Sequence, residues 1–135
     1  MRIKLRHEKK QIVYFLISIF VVSSGLLLSS IYRPYIYSND INDLGFADTI
    51  GSLVSVIGFC SFLWSFKDFS DKKKNYHIIW AVFIYSVIWE PLGLLGIHGT
   101  FDWKDIFAVI VSGLITYALK NFIESKFKLT DKENE

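Results

Sequence analysis

Four apolar blocks of about 20 residues each, separated by short charged segments, set the strongest limit on how this chain can fold. They occupy about residues 11–32, 46–66, 77–97 and 103–122. An amphipathic helix of a soluble protein returns polar residues at every turn, whereas these blocks are apolar on all sides. The sequence therefore predicts one all-α membrane domain, residues 1–135: a polytopic bundle of four transmembrane helices with a charged tail at 123–135.

The first block follows a basic N-terminus and could be read as a signal peptide. Its apolar character continues through Leu26, Leu27 and Leu28, which is long for a signal core, so we expect an uncleaved transmembrane helix. Because the residue before a proline disfavours helical backbone angles, Arg33 and Pro34 predict the end of this helix.

Basic residues are distributed unevenly between the segments that flank the blocks. Thirteen of the 15 Lys and Arg residues lie in the N-terminus, in the 67–76 loop or from Lys120 onward; the exceptions are Arg33 and Lys104. The positive-inside rule then places both termini and the 67–76 loop in the cytoplasm, with the chain in the plasma (inner) membrane. Nothing in the charge pattern indicates a nucleic-acid partner.

Small residues recur along one side of the second block and predict a helix–helix contact face: Gly51, Ser55, Gly58 and Ser61. The single cysteine, Cys60, excludes an intrachain disulfide and is expected to pack inside the bundle.

Glu90 is the most informative candidate for a functional site. It lies inside an apolar run and directly precedes Pro91, which should kink or end the helix and release a backbone carbonyl. A carboxylate at this depth faces the bundle interior, pairs or stays protonated, which suggests a polar pocket. The alternative is a hydrated glutamate at a helix end near the outer interface.

Three aspartates complete the candidate site. Asp102 and Asp105, spaced as in a capping box, open the last block, and Asp48 lies in the first turn of the second block. Capping and dipole stabilisation account for them; the functional alternative joins them to Glu90 as an acidic outer pocket for a cation, an amine or a hydroxyl group. We expect no catalytic residue, no metal ion and no cofactor, because no catalytic motif or standard ligand spacing occurs.

Residues 80–120 resemble the VanZ-like membrane proteins, named after a teicoplanin-resistance factor. The resemblance consists of a late glutamate, a loop glycine, an aspartate pair and a following glycine: Glu90, Gly99, Asp102 with Asp105, and Gly113. The family's usual glutamine, arginine and asparagine are absent, with Thr100 and Val109 at the last two positions. The resemblance implies a small cell-envelope membrane protein and no defined biochemical activity.

Three functions fit these features. The first is a non-enzymatic envelope protein whose acidic outer pocket binds a lipid-linked or peptide ligand or a partner protein. The second is a small oligomeric transporter or channel subunit that uses Glu90 for proton or cation coupling, since four helices are few for a transporter. The third is a structural or immunity-type protein without a ligand site. The expected partners are the lipid bilayer, an envelope lipid or protein, and a second copy of the chain.

Overall fold

The computed structural model describes the backbone of residues 2–67, 72–89 and 102–132, and the side chains of 8–67, 73–88 and 102–127. Within these ranges the chain is helical and contains no strand. The helices are α1 (Arg2–Leu27), α2 (Arg33–Ser38), α3 (Phe46–Phe66), α4 (Lys72–Trp89) and α5 (Trp103–Lys132). A π-helical turn, Leu28–Tyr32, joins α1 to α2.

The first helix does not end at Arg33-Pro34 as the sequence predicts. The π turn shifts the hydrogen-bond register, and the Arg33 N–H donates to the carbonyl oxygen of Leu28. Pro34 thereby lies in the first turn of α2, where its missing N–H would have no intrahelical acceptor. The chain stays helical to Ser38, so this predicted boundary is wrong by about a turn and a half.

α3 lies at the centre, between α1 and α5. Its bounds coincide with the second apolar block, and its buried residues include Val56, Cys60 and Trp64. The burial of Cys60 confirms its packing role.

Only part of the predicted small-residue face of α3 forms a helix–helix contact. The Ser18 hydroxyl of α1 donates to the Gly58 carbonyl at 3.1 Å, and a side-chain carbon added at Gly58 would come within 3.1 Å of Val22. Ser61 is fully buried. Gly51, however, is exposed with nothing close to it, so the contact face does not extend to the beginning of α3.

The helices run up and down the bundle, with α1 and α4 opposite in direction to α3 and α5. The Gln11 side chain donates to the Phe66 carbonyl, which places the start of α1 beside the end of α3. Tyr76 of α4 stacks on Tyr117 of α5, and Phe83 approaches Gly113. We call the end of the bundle that holds Lys10 and Lys120 the lysine end, and the end that holds Asp48 and Asp102 the aspartate end.

Three helical segments are long and apolar enough to cross a membrane: Glu8–Ser38, Phe46–Phe66 and Trp103–Phe127. The chain is therefore a helical protein with at least three membrane-spanning candidates. Many large apolar side chains on these segments are exposed, such as Phe20 at 73% and Phe107 at 68%. Their exposure is as expected when lipid surrounds the bundle, because lipid tails are as apolar as these side chains.

The last helix is longer than the fourth apolar block. α5 starts at Trp103, as predicted, but continues to Lys132. Ile123 is buried in the core, and Phe127 packs against it. Residues 123–127 therefore belong to the bundle instead of forming part of a tail.

Candidate functional site

The structure describes three of the four candidate site residues. Asp48, Asp102 and Asp105 all lie at the aspartate end: Asp48 and Asp105 in the first turns of α3 and α5, and Asp102 directly before α5. Glu90 and Pro91 lie outside the described residues, as does the loop that holds Gly99. The site can therefore be built from the three aspartates and their neighbours.

Asp102 occupies the N-cap position of α5. Its Oδ1 accepts a hydrogen bond from the Lys104 backbone N–H at 2.9 Å, and its carbonyl accepts from the Asp105 N–H at 3.1 Å. An N-cap side chain satisfies one of the backbone donors that a helix start leaves unpaired. The capping explanation therefore accounts for Asp102.

Asp105 makes a contact that the capping pattern does not predict. Its Oδ1 accepts a hydrogen bond from the Ser52 hydroxyl of α3 at 2.9 Å. This bond joins the starts of α3 and α5 across 53 residues of sequence. Asp105 is thus a contact between helices as well as a first-turn carboxylate that favours the helix dipole.

Asp48 accepts hydrogen bonds from two side chains of the preceding helix, α2. Its Oδ1 accepts a hydrogen bond from the Arg33 guanidinium at 3.1 Å and another from the Tyr37 hydroxyl. Both donors lie on α2, which exists because the helix continues past Pro34. The side chains of Arg33 and Asp48 are 48% and 39% exposed, so this ion pair contributes at most about 1 kcal/mol to stability.

The three aspartates lie at one end of the bundle. Asp48 is in the first turn of α3, and Asp102 and Asp105 are at the start of α5, which the Ser52–Asp105 hydrogen bond ties to α3. Within the ranges that the structure describes, no group of three His, Cys, Asp or Glu side chains has an arrangement that could hold a metal ion. The carboxylates at this end outnumber the cations of Arg33 and Lys104, so the excess charge is negative, which suits a cation or an amine.

Asp43 caps α3 and was missed as a capping residue by the sequence analysis. Its carboxylate accepts hydrogen bonds from the backbone N–H groups of Gly45 at 3.0 Å and Ala47 at 2.7 Å. Desolvation raises the pKa of Asp43, but these bonds and one from the Tyr32 hydroxyl outweigh it and hold that pKa below its ordinary value. The turn residues Asn42 and Asp43 were the available signal.

A second charged cluster, which the sequence pattern does not predict, lies at the lysine end. Glu124 of α5 contacts the Lys10 ammonium of α1 at 3.2 Å and the Lys120 ammonium at 2.9 Å. The two lysine side chains are only 2% and 4% exposed, and Glu124 is 19% exposed. A buried lysine needs such a partner, because removing its charge from water is costly.

Two aromatic rings complete this lysine–glutamate cluster. The Lys120 ammonium lies 4.4 Å from the ring centre of Tyr14 and 4.5 Å from that of Trp64. The two rings are themselves 5.3 Å apart and tilted by 52°. The cluster therefore joins α1, α3 and α5 at one point. The available sequence signal was the spacing of Lys120 and Glu124 by one helical turn.

No protein-family model, no curated protein and no solved structure matches the chain.

Proposed function

We propose that the chain is a non-enzymatic integral membrane protein of a bacterial-type cell envelope, VanZ-like in character, whose acidic outer end binds a cationic or hydroxyl-bearing ligand. The observation that supports this proposal is the position of Asp48 in the first turn of α3 and of Asp105 in the first turn of α5, two helix starts that the Ser52–Asp105 hydrogen bond joins. Glu90, which the sequence places toward the same end, adds a fourth carboxylate.

The detailed geometry favours Asp105 over Asp102 as the ligand-binding group. The Asp102 side chain caps its own helix, whereas the Asp105 side chain binds α3 from α5, so a ligand at Asp105 would contact two helices. Asp105 accepts a bond from a neutral hydroxyl, and its second oxygen has no described hydrogen bond. An ionised carboxylate can accept several hydrogen bonds at its two oxygens, so Asp105 keeps capacity for an ammonium or hydroxyl donor.

The ligand proposal is tested by what the purified full-length chain retains from native membranes. Losing one charge-assisted hydrogen bond of about 1.5 kcal/mol should lower the retention of the ligand about tenfold. We therefore expect one envelope species, identified by mass spectrometry, to be depleted about tenfold in Asp105→Asn and in Glu90→Gln relative to wild type.

The matched control is Asp40→Asn, which neutralises an exposed aspartate in the loop before α3. This variant should retain the ligand at the wild-type level. Equal retention by wild type, Asp105→Asn and Glu90→Gln would remove the acidic site from the function and leave the structural or immunity-type role.

Four spans with both termini in the cytoplasm form the topology that we propose for this function. Both α3 and α5 begin at the aspartate end, so the chain must return across the bundle between Phe66 and Asp102. The direction of α4 supports this crossing, since it is opposite to that of α3 and α5. The lysine end is then cytoplasmic, where basic residues are favoured.

Reporter fusions test this topology. Fusions of green fluorescent protein after Glu135 and at the N-terminus should both fluoresce, and alkaline phosphatase inserted at Asp40 should be active, because it requires disulfides that form outside the cytoplasm. Three spans would place the termini on opposite sides of the membrane. Alkaline phosphatase activity after Glu135, with fluorescence confined to the N-terminal fusion, would therefore contradict the four-span topology.

A further inference from the structure

An apolar groove lies at the aspartate end, between the start of α3 and the start of α5. Its volume is about 620 Å³. Its walls include Phe46 and Leu53 from α3 and Phe107 and Val111 from α5. All four belong to segments that are long and apolar enough to span a membrane, and Phe107 is 68% exposed.

Two opposite charges flank this groove without pairing. Lys104 and Asp43 both line it, yet no ion pair joins them. The Lys104 side chain lies over Gly45, where an added side-chain carbon would come within 2.5 Å of its ammonium nitrogen. Gly45 has a φ of +85°, which favours glycine, and the missing side chain leaves space for the lysine.

Asp43 is held in the charged form on its side of the groove. The backbone N–H groups of Gly45 and Ala47 bind its carboxylate and keep its pKa below the ordinary value, although desolvation acts in the opposite direction. A carboxylate with two oxygens can accept further donors. The groove therefore presents one cation, one anion and an apolar channel.

We propose that this groove binds a phospholipid with a primary-amine headgroup, phosphatidylethanolamine, from the surrounding leaflet. One acyl chain lies in the apolar channel, the phosphate contacts the Lys104 ammonium, and the headgroup ammonium contacts the Asp43 carboxylate. This charge order matches the zwitterionic headgroup. An anionic headgroup such as phosphatidylglycerol would satisfy Lys104 through its phosphate but would bring no cation to Asp43. The proposal does not rest on the proposed function, because Asp48, Asp102 and Asp105 do not line the groove.

Native mass spectrometry of the purified full-length chain, titrated with single lipids, tests the site. Wild type should bind phosphatidylethanolamine more tightly than phosphatidylglycerol, which lacks the ammonium group. One lysine near a charged lipid surface contributes about 1 kcal/mol, so Lys104→Ala should weaken phosphatidylethanolamine binding about fivefold. Asp43→Asn loses the charge and keeps one of the two capping oxygens, and it should abolish the preference between the two lipids.

Two further variants keep the result interpretable. Leu53→Trp fills the groove and should weaken the binding of both lipids, whereas Lys74→Ala removes an exposed lysine at the opposite end and should change neither. Equal affinity of wild type for the two lipids would overturn the proposal. The same conclusion would follow if Lys104→Ala matched Lys74→Ala while circular dichroism showed both variants folded.

Discussion

Replacing Glu124 by glutamine should destabilise the protein by about 3 kcal/mol, because the change leaves two buried lysines without their shared carboxylate. Both ammonium groups contact Glu124, at 3.2 Å from Lys10 and 2.9 Å from Lys120. Breaking a buried ion pair by removing one partner costs more than the pair itself contributes, since the remaining buried charge loses its opposite charge. The free energy of unfolding, measured by titrating the purified protein in micelles with sodium dodecyl sulfate, gives the size of the loss.

A triple variant separates charge burial from general disruption. Lys10→Met, Lys120→Met and Glu124→Met together replace the whole cluster with apolar side chains of similar length. Replacing a whole buried ion cluster with apolar residues often changes the free energy of unfolding little. The triple variant should therefore lose less stability than Glu124→Gln alone.

Glu8→Gln is the matched control, because Glu8 lies at the same end of α1 but is exposed. Its effect should stay within about 0.5 kcal/mol. A triple variant less stable than Glu124→Gln would show that packing of these chains, and not the unpaired charge, determines the loss.

The sequence predicts those parts of the fold that depend on local patterns. The second apolar block reproduces the bounds of α3, because its apolar run lies between Gly45 and the polar loop that starts at Lys67. The N-cap role of Asp102 also follows from local spacing, since the acceptor and its donor are two residues apart. Helix starts and apolar runs are readable because their stabilising contacts lie close together in sequence.

Contacts between distant residues could not be predicted in this way. The sequence places Lys10 and Lys120 at the ends of the first and last apolar blocks, and lysines at block ends normally reach solvent. The structure places both inside the bundle, and their common partner is 114 residues from Lys10. The helix beyond Pro34 was missed for a related reason: the π turn shifts the hydrogen-bond register, and α2 then contacts Asp48 of another helix.

The candidate site could be predicted in part, because it combines local helix starts with contacts between distant residues. The three aspartates lie at one end of the bundle because they are at the starts of α3 and α5, which run in the same direction. The Ser52 hydroxyl that binds Asp105 and the Arg33 guanidinium that binds Asp48 depend on how α3 packs against its neighbours. The acidic end was therefore predictable as a region, whereas its internal bonds were not.

Trp64→Ala should destabilise the protein by about 3–5 kcal/mol, the usual range for a buried tryptophan cut back to alanine. Trp64 is only 1% exposed, and its ring contacts both Tyr14 and the Lys120 ammonium. The change leaves a cavity where α1, α3 and α5 meet and removes one of the two rings from the buried charge. The same detergent titration measures this loss.

Three comparisons identify the origin of the effect. Phe66→Ala removes a 69% exposed ring from the same helix end and should cost much less, since the lipid-facing ring fills no space inside the bundle. In the described part of the chain the Trp64 indole N–H has no hydrogen-bond partner, so Trp64→Phe should lose only packing volume and part of the cation–π attraction.

A double-mutant cycle of Trp64→Leu with Lys120→Met should give a coupling of about 0.5–2 kcal/mol. A coupling of zero would mean that Trp64 stabilises the bundle by packing alone and that Glu124 is the main partner that compensates the buried lysine charge.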